Sequence, residues 1–143
     1  ASFNYSLGAD LYNYQRSIIE SGSYFYNQTT SMLARWTHDG QVTDVPRASF
    51  LDEMGNSRFS DRWIEDGSYL KLKNVTLSYR IPVQSAYLQG ITLWAAGNNL
   101  FTITKYLGSD PEFAQSNAVM GMGIDRGLLS PGRSFSLGVK INL

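Results

Sequence analysis

The sequence predicts an all-β chain of four antiparallel strands, patterned as a piece of a membrane-spanning β-barrel wall. Three observations predict it. Apolar and polar residues alternate with period two in four separate runs. The connections between those runs are alternately long and short, as in outer-membrane barrels. Charged residues are only 17% of the 143, against ~25% in ordinary globular chains, while aromatics reach 13%. Strands with one face turned away from water need few charges and tolerate many rings.

The first strand is expected over about 2–12. There Phe3, Tyr5, Leu7, Ala9 and Leu11 alternate with Asn4, Ser6, Gly8 and Asp10. Residues 13–67 then form a long connection. Inside it, Tyr24 to Trp36 runs without Gly or Pro and places Tyr24, Asn27, Gln28, Met32, Leu33 and Trp36 at helix-like spacing, which predicts a short helix. Thr37-His38-Asp39-Gly40 follows as a turn.

The second strand, about 68–82, sets Val75, Leu77, Tyr79 and Ile81 against Asn74, Thr76, Ser78 and Arg80. Leu70 and Leu72 stand in the opposite phase, which predicts a β-bulge near Lys73. A short turn from Pro82 to Gly90 leads into the third strand, about 90–103. Ile91, Leu93, Ala95, Phe101 and Ile103 share one face there, while Trp94 and Leu100 fall on the other, so this strand is expected to be covered on both sides. A second long connection, 104–132, is rich in Gly, Ser and Asn. The last strand, about 133–143, alternates Phe135, Leu137, Val139, Ile141 and Leu143 with Ser134, Ser136, Gly138, Lys140 and Asn142. Its eleven residues match the ~9–11 of a tilted transmembrane strand. On this phase Leu77, Tyr79, Leu137, Val139 and Ile141 face lipid, and Thr76, Ser78 and Arg80 face the lumen.

Other classes recede. Twelve basic and twelve acidic residues cancel, so nothing attracts nucleic acid electrostatically. The absence of cysteine excludes disulfides, thiolate metal sites and cysteine nucleophiles. The charge-free run from Ile81 to Thr104 is long enough for a helical span but is broken by Pro82, Gly90 and Gly97. Ala1-Ser2-Phe3-Asn4-Tyr5 is already strand-patterned, and no signal peptide is expected in it.

Candidate sites are few. A zinc site at His38, the single histidine, would need three carboxylates beside it, so a loop histidine is the better reading. A Ser/His/Asp triad lacks the G-x-S-x-G elbow, and Gly121 to Gly127 matches neither phosphate-loop fingerprint. No catalytic residue, metal or cofactor is expected. Glu65-Asp66 and Asp110-Pro111-Glu112 are carboxylate pairs at loop edges, read as turn formers rather than calcium ligands. Trp36 and Trp63, in the long connection, are the rings best placed to meet a ligand or partner, with Asp110 and Glu112 as polar candidates beside them.

Three segments carry a resemblance: Glu65-Asp66-Gly67-Ser68-Tyr69-Leu70-Lys71-Leu72-Lys73-Asn74-Val75-Thr76-Leu77-Ser78-Tyr79, Gly97-Asn98-Asn99-Leu100-Phe101-Thr102-Ile103-Thr104-Lys105-Tyr106 with Gly108-Ser109-Asp110-Pro111-Glu112, and the strand after Pro131-Gly132-Arg133. In this order they resemble the C-terminal part of SusC/RagA-type TonB-linked outer-membrane transporters. The resemblance implies the last four strands of a 22-stranded barrel in a bacterial outer membrane, with outer loops 13–67 and 104–132. It also implies partners: the remaining strands and plug of the same barrel, a SusD-like surface lipoprotein, TonB acting through the N-terminal part, membrane lipid, and a glycan or peptide as cargo. Such barrels usually end on an aromatic residue, whereas this chain ends Ile141-Asn142-Leu143. The competing expectation is a soluble all-β carbohydrate-binding sandwich, which should have about seven strands joined by short turns.

Overall fold

The computed structural model describes residues 1–82, 90–112 and 121–142. In chain order the elements are β1 (Ser2–Ser6), β2 (Asp10–Asn13), α1 (Tyr14–Ile19), β3 (Ile64–Asp66), β4 (Tyr69–Ile81), β5 (Gly90–Thr104), β6 (Ile124–Asp125) and β7 (Ser134–Asn142). Four of the strands form one sheet in the order β1-β4-β5-β7, each pair antiparallel. The all-β antiparallel architecture expected from the alternation is therefore present.

Register assigns the faces. Leu77 stands opposite Ala95 and Ala95 opposite Leu137; Tyr79, Leu93 and Val139 make the next row, and Ile81, Ile91 and Ile141 the one after. The intervening rows are Thr76–Ala96–Ser136, Ser78–Trp94–Gly138 and Arg80–Thr92–Lys140. Because side chains alternate with period two, the apolar rows lie on one face and the polar rows on the other. Leu77, Tyr79, Leu137, Val139 and Ile141 are all more than half exposed, so nothing among the described residues covers the apolar face. Two sheets packed face to face, as a sandwich requires, are not formed by the described residues.

The phase change has a structural cause. Pairing of β4 with β5 slips between Leu72 and Asn74, where Leu72 meets Phe101 but Asn74 meets Asn98. Asn99 sits in this interval with φ +52, the left-handed region that Asn tolerates better than most residues. The turn carries the Leu100 side chain into the space a Cβ on Gly97 would fill. Leu100 thus lies on the side Gly97 would present, not opposite it as strict alternation predicts. Trp94 does stay on the polar face, its ring covering Gly138.

The expected strand 2–12 is two strands. Gly8 adopts φ +70, and its N–H donates to Ser68 Oγ at 3.0 Å, so the chain turns out of the wall. β2 then joins a second sheet of order β3-β2-β6, antiparallel to β3 and parallel to β6. The helix expected between Tyr24 and Trp36 is only a 3-10 turn, Thr30–Ala34. The α-helix lies earlier, where the Asn13 side chain accepts from Arg16 N and caps α1. The turn at Thr37 to Gly40 is formed, with Gln41 N donating to His38 O and Gly40 at φ +86.

Ser6, Tyr69 and Thr104 share a register position at one end of the wall, and Ile81 pairs with Ile91 at the other. Both long connections therefore leave from one end. The short turn between Pro82 and Gly90 lies, from 83 to 89, outside the described residues, as do 113–120 and Leu143. Leu72 and Lys71 of β4 are buried in the wall, but most of the buried core among the described residues sits in the connections. Trp63, Leu11, Met32 and Tyr106 are buried there with Asn13, Ser17, Ser21 and Ser23.

Candidate functional site

The junction between wall and loops is built on matched spacing. Lys71 and Lys73 of β4 are two residues apart and, across the slip between Leu72 and Asn74, both reach Glu112. Asp110 and Glu112, also two apart, meet them from the second long connection. Lys71 Nζ lies 2.5 Å from Asp110 Oδ2 and 2.9 Å from Glu112 Oε2, and Lys73 Nζ lies 2.6 Å from Glu112 Oε1. Asn4 of β1 donates to Glu112 Oε1 at 2.9 Å, and Ser130 Oγ donates to Asp110. Burial pushes the Glu112 carboxyl up, but hydrogen bonds from Lys73, Lys71 and Asn4, with the Lys71 charge, outweigh it and hold Glu112 at about 2. Asp110 and Glu112 were expected to meet substrate or partner. Both are instead committed to this cluster, with Asp110 itself buried.

A second network ties the two connections together. Arg16 pairs with Glu20 at 2.8 Å and with Glu65. Glu65 also accepts from Asn13 Nδ2 and, through its other oxygen, from the N–H of Leu107 at 2.9 Å. Tyr106 donates to Asp125 Oδ2 at 2.6 Å, and the Gly127 N–H donates to the other Asp125 oxygen. Burial and the Asp125 carboxylate raise the Tyr106 hydroxyl well above the usual tyrosine range, so it remains a donor. The Gly121 to Gly127 segment thus serves an internal strand and turn.

Trp63 was expected as a ligand-facing ring. It is fully buried, with the Arg62 guanidinium 4.7 Å and the Arg16 guanidinium 5.6 Å from its ring centroid, so neither ring face can receive a ligand. Trp36 is half-buried, its backbone N–H donating to Val45 O. His38 is exposed beside Thr37. Asp66 accepts from Ser68 N as a turn former. Thr76, Ser78 and Arg80 lie together on the polar face of the wall. Residues that sequence reasoning did not single out are Asn4, Arg16, Lys71, Lys73 and Asp125; Tyr106 was expected in an interfacial aromatic girdle and is instead buried on Asp125. The Lys-x-Lys and Asp-Pro-Glu spacings could have paired Lys71 and Lys73 with Asp110 and Glu112; the others carry no local signal.

Wall, uncovered apolar face and polar loop module define a class: a segment of an antiparallel barrel wall with its two long connections folded together at one end. The chain is 33% identical to TonB-dependent receptor P3 of Formosa agariphila, an alignment covering 97% of this chain and 14% of that protein. It is 27% identical to TonB-dependent receptor P26 of the same organism, over 81% of this chain and 12% of the relative. Among solved structures it is similar to the RagAB peptide importer in its closed-closed state (TM-score 0.78, 28% identity, 97% of this chain and 15% of that one). The open-open state of RagAB gives TM-score 0.80 at 26% identity, covering 99% and 15%. No family model matches the chain. The chain spans about a seventh of the length of the first curated relative. It is a β-barrel segment of a SusC/RagA-type TonB-dependent receptor.

Proposed function

We propose that this segment forms part of the wall and outer rim of a bacterial outer-membrane importer. The apolar face of the β1-β4-β5-β7 sheet contacts lipid, the face bearing Thr76, Ser78 and Arg80 lines the lumen, and the two long connections stand outside the cell. The observation that carries this reading is the uncovered apolar face in a sheet whose two edge strands, β1 and β7, each have one neighbour. In water such a face would associate, and in hydrocarbon each unpaired edge group costs several kcal/mol. Both problems vanish if further strands of the same polypeptide close a barrel within a bilayer. The remaining parts of the reading are a TonB-driven cycle, a SusD-like surface lipoprotein over the rim, and a peptide or glycan as cargo. The likeness to receptors and to a peptide importer supports them.

The test uses the full-length receptor containing this segment, freed of any cysteine elsewhere, since the segment itself has none. In intact cells a membrane-impermeant maleimide should label Phe25→Cys and spare Leu137→Cys, and loss of TonB should abolish cargo uptake. Labelling of Leu137→Cys as fast as Phe25→Cys would defeat the membrane assignment.

A further inference from the structure

The apolar face of the wall does not stop where the long connections begin. Ser2 stands opposite Asn74 and Asn4 opposite Lys71. Ser2 and Asn4 share a face of β1, so Lys71 lies with Asn74 and Thr76 on the polar side. Phe3 and Tyr5, opposite Leu72 and Leu70, lie on the other side, and Lys73 is the extra residue of β4 that restores the phase. Ile103 pairs with Leu70 in turn. Tyr5, Leu70 and Ile103 therefore continue the rows of Leu77 and Tyr79 toward the end from which both long connections leave.

At that end the face becomes a groove. β1 leaves the wall at Gly8, whose N–H donates to Ser68 Oγ, and Gly67 N donates to Ala9 O at 2.7 Å. Asp66 Oδ1 accepts from Ser68 N, and Thr104 Oγ1 donates to Ser68 O at 2.8 Å. These bonds fix the ends of β1, β4 and β5 around a cavity of about 450 Å³. Small-molecule sites run from ~300 to 1,000 Å³. Tyr5, Leu7, Leu70 and Ile103 line its apolar part, and Leu7 is 78% exposed. Asp66 and Lys105 line it beyond the last paired row, Tyr69–Thr104. Both are exposed, and among the described residues neither makes an ion pair, with the other or with any third group.

We propose that this groove is a site for one zwitterionic lipid of the outer leaflet. Its acyl chain lies along Tyr5, Leu70 and Ile103, its phosphate meets Lys105 and its ammonium meets Asp66. This rests on the importer reading, which puts the rows of Leu77 and Tyr79 in the bilayer and the connections outside, and it adds a site of defined chemistry to that face. Two features select the occupant. On one side the groove is continuous with the apolar rows, and on the other it offers one charge of each sign. A water-soluble ligand would have to desolvate its polar groups against the apolar part. A lipid without charge leaves both side chains to water, and an anionic one gains Lys105 but faces Asp66. A zwitterionic lipid satisfies tail, cation and anion together. The groove is already held by backbone and side-chain bonds, so little ordering opposes binding.

The test counts lipid retained by the purified full-length receptor in detergent, read by native mass spectrometry. The probes are dioleoylphosphatidylethanolamine, dioleoylphosphatidylglycerol, dioleoylglycerol and free phosphoethanolamine. The zwitterionic lipid should bind at least tenfold more tightly than dioleoylglycerol, and an equal concentration of phosphoethanolamine should not displace it. Lys105→Gln should abolish that preference. Asp66→Asn, which keeps the acceptor for Ser68 N, should weaken the zwitterionic lipid at least threefold and tighten phosphatidylglycerol, a reversal that loss of shape alone would not give. Leu70→Trp, which fills the groove, should remove retention of both, while Leu129→Ala, in the second long connection, should change nothing. Asp66 and Lys105 are exposed, so their variants should keep the heat-modifiable gel mobility of a folded barrel. Equal retention of dioleoylglycerol and the zwitterionic lipid, or a preference unchanged in Lys105→Gln, overturns the proposal. So does a wild-type preference for phosphatidylglycerol, or displacement by phosphoethanolamine, which would make this a site for soluble phosphates. Each of these failures leaves the maleimide pattern and TonB dependence untouched, so the importer reading is judged separately.

Discussion

Lys71 Nζ stands 2.5 Å from Asp110 Oδ2 with both side chains 3% exposed, so a wall strand and the root of the second long connection are joined by an ion pair out of water. Removing one member of such a pair leaves a buried charge, at a cost of ~3–5 kcal/mol. Lys71→Met should therefore destabilise the folded receptor strongly. Adding Asp110→Leu should recover much of the loss, because the pair's own attraction is largely offset by its desolvation. Denaturant titrations of both variants in detergent check this. A double variant no better than the single would contradict it.

The Glu112 carboxyl, held at about 2 against an ordinary value of 4.5, makes the same junction sensitive to acid. Its folded value is depressed, so its stabilisation is fully present above pH 4.5 and is lost as pH falls from 4.5 through 2. After solvent screening this is ~1–2 kcal/mol. Glu112→Gln should lower the melting temperature at pH 6 and leave it unchanged near pH 2. An equal deficit at both values would show that Glu112 acts through shape rather than charge.

The two faces of β7 should respond oppositely to a charge. Leu137→Arg, on the apolar face, is expected to cost ~2–4 kcal/mol if it lies near the bilayer midplane, and Ser136→Arg, on the polar face, much less. Folding titrations into lipid vesicles measure both. Equal costs would reverse or abolish the assignment of faces.

Trp94 occupies the space a Cβ on Gly138 would need. Gly138→Ala should displace the ring and cost ~1–3 kcal/mol, as overpacking does. Trp94→Ala should remove that penalty, so the double variant should show strong coupling. Additive melting-temperature losses would mean that the ring does not rest on the glycine.

The wall was legible in the sequence because a period-two pattern and a face exposed to one solvent are the same fact written twice. Even the slip near Lys73 announced itself as Leu70 and Leu72 out of phase with Leu77 and Tyr79. Leu100 misled because a single left-handed residue, Asn99, reverses parity without leaving any mark in hydropathy. The loop module was nearly opaque. Trp63 reads as a free ring until Arg16 and Arg62 are brought over it, and β2 reads as the end of β1 until Gly8 turns it away. These outcomes depend on partners distant in sequence, for which no local period exists. Asp110 and Glu112 were expected to meet a substrate or partner, whereas their ion-pair partners are lysines on a strand that alternation had already classified as wall.

The Asn4–Glu112 hydrogen bond spans 108 residues, β2 runs parallel to β6, and the Leu107 N–H finds its acceptor in Glu65. Contacts of that separation form late in folding, after the strands between them are placed. Neither loop holds within itself the partners that its own polar groups require. A chimera that borrows one long connection from a related receptor would leave the second Glu65 oxygen, the Leu107 amide and the Tyr12 amide, which donates to Gly123 O at 2.8 Å, to find new partners or none. Exchange of both connections together preserves the Tyr12–Gly123 and Glu65–Leu107 pairings and leaves only the Asn4–Glu112 bond, whose Asn4 stays in the wall, to be matched, so specificity should pass between such receptors in two-loop cassettes rather than loop by loop.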